Sequence, residues 1–262
     1  MLKAFFTSAT GMRAQELLID NTANNLANVN TNGFKRNHVE FADLMYDVSK
    51  QPGAQTSQGQ ISPIGLQIGN GVRPVGTTTI FTQGTPQISG SSTHMAIEGE
   101  GFFKVTMPDG SAAYTRDGSF QRNADGLLVN GDGRPLDPNI TIPPTAQDVS
   151  ITATGDVNYR EAGGQGLVIA GQVSLYRFAN PSGLKQLGGN LFSQTQASGD
   201  ETQGVAGIEG FGSIRGGFLE GSNVEVVAEM VSLITAQRAY EINSRAIKAG
   251  DEMLSNASQL VR

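Results

Sequence analysis

Both ends of the chain carry a seven-residue apolar repeat, and the stretch between them does not. Near the start, Phe5, Met12, Ile19 and Leu26 are spaced by seven, with Ala9 and Ala23 at interleaved positions and Glu16 interrupting one. Near the end, Val226, Leu233, Tyr240, Ile247, Leu254 and Val261 hold the same spacing. A sustained heptad keeps one apolar line facing a partner helix, which predicts helices over 2–29 and 223–261 that pair as a coiled coil. Taken alone, the first repeat equally fits an amphipathic helix folding onto its own core. A second stripe, Ala239, Ile242, Ala246, Ala249, Met253 and Leu260, runs along another face of the C-terminal helix. Two apolar faces need two sets of contacts: one takes the N-terminal helix, the other a core or another copy. At ~1.5 Å per residue this helix is a rod of roughly 57 Å, long for a globular domain and suited to a filament wall.

The helix ends have their own signals. Asn30-Thr31-Asn32-Gly33 stops the first helix, since Asn and Gly tolerate the left-handed conformation that ends one. Asn21, Asn24, Asn25, Asn28, Asn30 and Asn32 crowd that end and predict side-chain bonds to nearby backbone; a frayed, solvated end is the alternative. Ser222-Asn223-Val224-Glu225 reads as a capping box for the second helix. Gly250 inside that helix costs about 1 kcal/mol relative to Ala, and either allows close approach of another helix or marks a weak point.

The middle is rich in Gly, Thr, Ser and Pro and reads as extended structure. Gln51-Pro52-Gly53 and Ser62-Pro63-Ile64-Gly65 are turn signals in a stretch, 46–71, that reads as an extended arm. Its scattered Ile61, Ile64, Leu66 and Ile68 fit a segment that orders against neighbours, and a flexible linker is the alternative. Residues 72–220 read as all-β. Phe102–Thr106 and Ala113–Thr115 flank a turn at Pro108-Asp109-Gly110, and Phe120–Val129 turns at Asn123–Gly126. With strands at Leu167–Ile169 and Val173–Phe178, this predicts a sandwich or irregular barrel. The fold class is therefore α+β: paired terminal helices, an extended arm and a central all-β domain.

Composition narrows function. Hydrophobic residues make up 38% and charged residues 16%, with 34 glycines, a mix commoner in turn-rich β structure than in compact enzymes. The formal charge is −6 with no basic block, so nucleic acid is not an expected partner. The absence of cysteine removes thiol chemistry and cysteine-held metals. No run of 18 apolar residues spans a membrane. The Met1–Phe6 start resembles a signal peptide briefly, but Arg13 and Glu16 precede any cleavage site, so it reads as mature helix. Asp125, Asp132 and Asp137 lie in Gly-rich turns without a calcium-loop pattern. Gly99-Glu100-Gly101 precedes a strand, and His38 and His94 lack ligand spacing. No catalytic residue, cofactor or metal is expected. A secreted carbohydrate-binding or hydrolytic β protein is the rival class, and the lack of Trp argues against it.

Asn25-Leu26-Ala27-Asn28-Val29-Asn30-Thr31-Asn32-Gly33-Phe34-Lys35 resembles the N-terminal signature of bacterial flagellar rod and hook proteins. Gln237–Ser244, running on to Asp251-Glu252-Met253-Leu254, resembles their C-terminal signature. Gly99–Phe103 and Tyr114-Thr115-Arg116-Asp117-Gly118-Ser119-Phe120 are similar to the β-domain motifs of that family. Gln51–Gln55, Gly65–Gly69 and Gly71–Pro74 look most like its distal rod branch; the alternative is a flagellar hook or proximal rod subunit.

The resemblance implies a non-enzymatic structural subunit of the basal body. Copies would polymerise helically into a rigid hollow drive shaft in the periplasm, exported by the flagellar type III apparatus without a cleaved signal peptide. Implied partners are further copies, proximal rod proteins, hook protein, the peptidoglycan-layer and outer-membrane ring proteins as bushing, and a rod cap during assembly. Residues 1–33 and 222–262 are expected to form the helical inner core, 34–71 and 208–221 the connecting arm, and 72–207 the outer β domain. Assembly contacts are expected on Phe5, Met12, Ile19, Asn25, Leu26, Asn28, Gly33, Phe34, Gln51, Pro52, Leu233, Gln237, Arg238, Tyr240, Ile247 and Leu254.

Overall fold

The structure, a computed structural model, describes residues 2–53, 64–161 and 166–260. The middle of the expected arm, 54–63, and Val261 lie outside the described residues. The chain divides into two compact units: Met1–Leu26, Asn37–Thr78 and Val226–Arg262 make the first, and Ala27–Arg36 and Thr79–Glu225 the second.

The first unit holds both helices and four strands: α1 (Leu2–Ala27), β1 (Asn37–Asp43), β2 (Asp47–Lys50), β3 (Leu66–Ile68), β4 (Val72–Thr79) and α2 (Val226–Leu260). α1 stops two residues before the expected end. The chain then turns, with the Thr31 amide donating to Asn28 O at 3.2 Å, and Gly33 takes a left-handed φ of 68°. β1 pairs with β4. β2 and β3 pair antiparallel, with Asp47 opposite Ile68.

The second unit is built from β5 (Pro86–Ile88), β6 (Met95–Glu98), β7 (Phe103–Thr106), β8 (Ala112–Thr115), β9 (Gln121–Arg122), β10 (Leu128–Val129) and β11 (Leu136–Asp137). It continues with β12 (Ala146–Ile151), β13 (Asp156–Glu161), β14 (Leu167–Gln172), β15 (Ser174–Arg177), β16 (Lys185–Gly188), β17 (Leu191–Ser193), β18 (Thr202–Val205), β19 (Ser213–Gly216) and β20 (Phe218–Glu220). Both expected hairpins form: β7 pairs β8 with Phe103 opposite Thr115, and β9 pairs β10. The sheets are small and open. One has five strands in the order β11-β7-β8-β17-β16, one has three in the order β12-β13-β14, and the rest are pairs. Among the described residues no sheet closes into a barrel.

Two apolar clusters fill this unit. Met95, Ile97, Phe103, Phe120, Leu136, Ile140 and Leu175 belong to the larger, all essentially inaccessible to water. The smaller is aromatic: Phe102, Tyr114, Tyr176, Phe178 and Phe192, with Phe81 against it. Its rings meet edge-on, as at Tyr114–Phe178 with 4.7 Å between centroids, the geometry that the ring quadrupole favours.

The expected capping box does not form as read. α2 begins at Val226, the Ser222 hydroxyl takes the Val224 amide at 3.3 Å, and Asn223 turns its side chain into the β unit. With α2 starting at Val226, the N-cap position falls on Glu225 and Ser222 lies too early to cap the helix.

Candidate assembly surface

Side-chain contacts set the direction of the two helices. A Cβ on Gly250 would lie 2.8 Å from the tip of the Phe5 ring, and one on Gly11 would lie 3.1 Å from the Asn243 amide nitrogen. Farther along α1, Asn25 Nδ2 lies 3.4 Å from Glu229 Oε2. Advancing from Phe5 to Gly11 to Asn25 retreats along α2 from Gly250 to Asn243 to Glu229, so the helices run antiparallel. Gly250 thus serves close approach. The line of α2 that is covered is Glu229, Ala236, Asn243 and Gly250, itself spaced by seven. These residues are small or polar, so apolar periodicity does not register them.

Asn25 is the centre of a buried polar layer. Its Nδ2 donates to Asn37 O at 2.9 Å, its Oδ1 accepts from the Asn37 amide at 2.9 Å, and Asn21 Nδ2 reaches the same carbonyl at 2.8 Å. The asparagine-rich helix end therefore bonds to backbone, capturing the start of β1. Buried polar layers of this kind fix helix register at some cost in stability.

The expected assembly residues occupy three environments. Asn25 and Gly33 are buried. Phe5, Met12, Ile19, Leu26, Asn28, Phe34, Leu233 and Ile247 are half-buried. Gln51, Pro52, Gln237, Arg238, Tyr240 and Leu254 are exposed. On the side of α2 away from its covered line, apolar side chains are open: Val227 is 70% exposed, Val231 58% and Ile242 60%. The β2–β3 pair is equally bare, with Val48, Leu66 and Ile68 exposed and Met45 beside it at 87%. Exposed apolar side chains concentrated on α2 and on the β2–β3 pair make these two elements candidate interaction surfaces.

Within the β unit, three separated motifs meet at a buried junction. Lys35 Nζ donates to Glu220 Oε1 at 2.5 Å and to Thr82 O at 2.8 Å. Arg116 Nη1 lies 3.4 Å from Glu220 Oε2, and its Nη2 donates to Gly99 O at 2.8 Å. The Gly84 amide also donates to Glu220 Oε1, at 2.9 Å. Lys35, Glu220 and Arg116 are shielded from water, so two cations share one carboxylate in a dry site. Asn223 completes the junction, accepting from the Arg36 amide and donating to Ile80 O, each at 2.8 Å. Gly33 packs its α-carbon against the backbone of Arg116 and Asp117. Lys35 and Arg116 lie in two of the motifs that carry the family resemblance, and Glu220 lies in neither. A Lys, an Arg and a Glu 185 residues apart at the extremes leave no local signal.

Burial holds the Lys35 ammonium below the ordinary lysine value, outweighing the attraction of Glu220. The unfolded chain therefore binds more protons between that lowered value and about 10.5, and stability should rise with pH through this alkaline window. Tyr114 and Tyr176, pushed up by burial, act oppositely as pH passes the ordinary tyrosine value. The measurement is therefore the difference in urea midpoint between the wild type and Lys35→Met at several pH values. The wild type should gain stability relative to Lys35→Met as pH rises through the window; a constant difference would refute the assignment.

His94 has more company than its sequence context suggests. Its Nδ1 lies 2.5 Å from Ser89 Oγ. Burial raises the Asp117 carboxyl, opposed by bonds from Ser119 and by the nearby His94 ring. The contacts bind Ser89, His94 and Asp117 into the fold near the junction.

Three family models match the chain. They are the flagella basal body rod protein at residues 6–35, the flagellar hook protein FlgE/F/G D1 domain at 96–159, and the flagellar basal body rod FlgEFG protein C-terminal at 215–260. The chain is 46% identical over 260 residues to the flagellar basal-body rod protein FlgG of Buchnera aphidicola subsp. Schizaphis graminum, covering 99% of this chain and 100% of that protein. It is 44% identical to that of Borreliella burgdorferi, with both chains covered completely, and 35% identical to that of Bacillus subtilis, again over the whole of both. The crystal structure of Helicobacter pylori flagellar hook protein FlgE2 aligns with a TM-score of 0.24 at 15% identity, over 71% of this chain and 43% of that one, too low to carry an argument. With relatives aligned from end to end and models matched at both termini and in the β unit, the chain belongs to the flagellar hook and basal-body rod protein family.

Proposed function

We propose that this chain is a structural subunit of the distal part of the flagellar rod, polymerising helically into a stiff hollow shaft that carries torque to the hook. The observation that carries the reading is the end-to-end similarity to rod proteins of a chain whose longest helix leaves an apolar face open. Identical subunits related by a rotation that does not close on itself form a helical tube through heterologous contacts. In this reading the terminal helices pair as a coiled coil and line the inner wall. The segments 34–71 and 208–221 bridge neighbouring copies, and residues 72–207 supply the outer surface. The contacts between copies fall on the exposed side of α2, on Tyr240, Leu254, Gln237 and Arg238, and on the arm at Gln51 and Pro52. The half-buried Phe5, Met12, Ile19, Leu26, Leu233 and Ile247 serve the helix pair and its neighbours jointly.

The shaft would lie in the periplasm, turn within the ring proteins of the peptidoglycan layer and outer membrane, and join proximal rod proteins to the hook. Subunits would arrive through the type III export apparatus and assemble beneath a rod cap. Deleting the gene and imaging isolated basal bodies by electron microscopy tests this. Rods that stop short, without their distal part or hook, are expected. A complete rod lacking only the hook would move the chain to the hook, and intact basal bodies would refute a rod role.

A further inference from the structure

Two turns of the β unit are copies of each other. In Asn123-Ala124-Asp125-Gly126, Asn123 Oδ1 accepts from the Asp125 amide at 3.0 Å and the Leu127 amide at 2.9 Å. In Asn130-Gly131-Asp132-Gly133, Asn130 Oδ1 accepts from the Asp132 amide at 3.1 Å and the Arg134 amide at 2.9 Å. The main chain matches as well: the Gly126 amide donates to Asn123 O at 3.1 Å, and the Gly133 amide to Asn130 O at 2.9 Å. The turns differ in the residue after the asparagine, Ala124 in one and Gly131 in the other.

That difference has a chemical consequence. Attack of the following backbone nitrogen on the asparagine Cγ closes a five-membered ring between atoms already held together by the chain. A Cβ on the attacking residue crowds the ring, and glycine has none. Negative charge gathers on Oδ1 as the ring closes, and two backbone N–H groups aimed at that oxygen stabilise it. Asn-Gly occurs at Asn32, Asn70 and Asn130. At Asn32 the attacking Gly33 amide is held by Glu220 O at 2.8 Å, and Gly33 lies against the Asp117 backbone. At Asn70 the departing Nδ2 is held by Met45 O at 2.7 Å, and Gly71 lies against Thr10. Of the three, Asn130 alone combines a following glycine with the two-amide cradle. Among the described residues nothing bonds its Nδ2 or the Gly131 amide, and a Cβ on Gly131 would meet nothing within 4 Å.

We propose that Asn130 is a self-modification site, at which the folded turn cyclises and deamidates with water as the only co-reactant. Solvent hydroxide takes the Gly131 amide proton, the Gly131 nitrogen bonds to Asn130 Cγ, and the carbonyl electron pair moves onto Oδ1. The pair returns as the Cγ–Nδ2 bond breaks, and Nδ2 leaves as ammonia with a proton from water, which restores the hydroxide. Water then opens the cyclic imide. Breaking the new bond to Cγ leaves an aspartyl residue. Breaking the original peptide bond leaves an isoaspartyl residue, whose main chain runs through the former side chain. Either product adds a negative charge to a chain of net charge −6, and the second also lengthens the turn between β10 and β11. The site is independent of the rod reading and stands or falls without it.

The test ages the purified full chain in mildly alkaline buffer made with heavy-oxygen water, folded and, in parallel, unfolded in urea. Peptide mass spectrometry, with fragmentation that distinguishes isoaspartyl from aspartyl, follows each asparagine. In the folded chain, heavy oxygen should enter at Asn130 about tenfold faster than at Asn32 or Asn70, a barrier difference of ~1.4 kcal/mol. In urea the three should react at similar rates, since glycine follows each. Asn123 should lag in both, because Ala124 crowds its ring. Gly131→Ala should slow labelling at Asn130 about tenfold. Gly131 has no left-handed φ and open space around it, so this variant should keep the wild-type urea midpoint. Equal rates at the three Asn-Gly sites of the folded chain, a faster Asn32, Asn70 or Asn123, or unslowed labelling in Gly131→Ala would overturn the proposal.

Discussion

Replacing Glu220 by Ala is expected to destabilise the β unit by about 3–5 kcal/mol, the usual cost of stripping buried charges of their partner. The side chain is fully shielded and is the only carboxylate bonded to Lys35 and Arg116 among the described residues. Its removal leaves two buried cations without their bonded carboxylate and strips the Gly84 amide of its acceptor. Arg116 Nε already has no hydrogen-bond partner, so the site holds no reserve to absorb the loss. Domains of this kind are stable by only about 5–15 kcal/mol, so a loss of this size consumes much of the margin. Urea unfolding followed by near-ultraviolet circular dichroism of Tyr114 and Tyr176 reports on this unit, and the chain has no Trp to confuse the signal. Glu220→Gln keeps an acceptor for the Gly84 amide and should lose clearly less than Glu220→Ala. An unfolding free energy for Glu220→Ala within about 1 kcal/mol of wild type would show that the junction does not hold the unit together.

Gly33→Ala should cost about 3 kcal/mol for two separable reasons. Gly33 has a left-handed φ of 68°, where a Cβ costs roughly 1–2 kcal/mol. An added Cβ would also lie 2.5 Å from the Asp117 backbone nitrogen and 2.8 Å from the Arg116 carbonyl carbon, and backbone atoms cannot step aside as a side-chain tip can. Crowding of this sort typically adds 1–3 kcal/mol. Gly110 separates the two terms: its φ is 82°, and nothing lies within 4 Å of an added Cβ. Gly110→Ala should therefore show the conformational cost alone, about 1–2 kcal/mol. Equal losses for the two variants would mean that Gly33 is kept only for its backbone angle. A larger loss at Gly33 would mean that the N-terminal signature and the Tyr114–Phe120 motif are held in place by direct backbone packing.

The sequence by itself determined the order of elements. Heptad spacing located both helices to within three residues at their described ends, because a helix that must bury one side repeats its apolar residues at the helical period. The turns at Pro108-Asp109-Gly110 and Asn123–Gly126 located two hairpins, because Gly and Asn accept the angles that a tight reversal demands. The family was legible from four short motifs.

Tertiary structure alone decided which surfaces meet. The covered line of α2 passes through Glu229, Ala236, Asn243 and Gly250, since close approach selects small residues and the polar layer selects Asn and Glu. More apolar positions such as Tyr240 and Ile242 are left open. The capping box fails because α2 starts only at Val226, so Ser222 lies too early in the chain to cap it. Nothing local marks Lys35, Arg116 and Glu220 as one site until folding brings them together, because the energy of a buried charge is fixed by partners distant in the chain. Likewise, Leu167–Ile169 reads only as one more strand, and the tertiary structure alone leaves its side chains open on both faces, since an apolar strand is buried or bare according to what lies beside it.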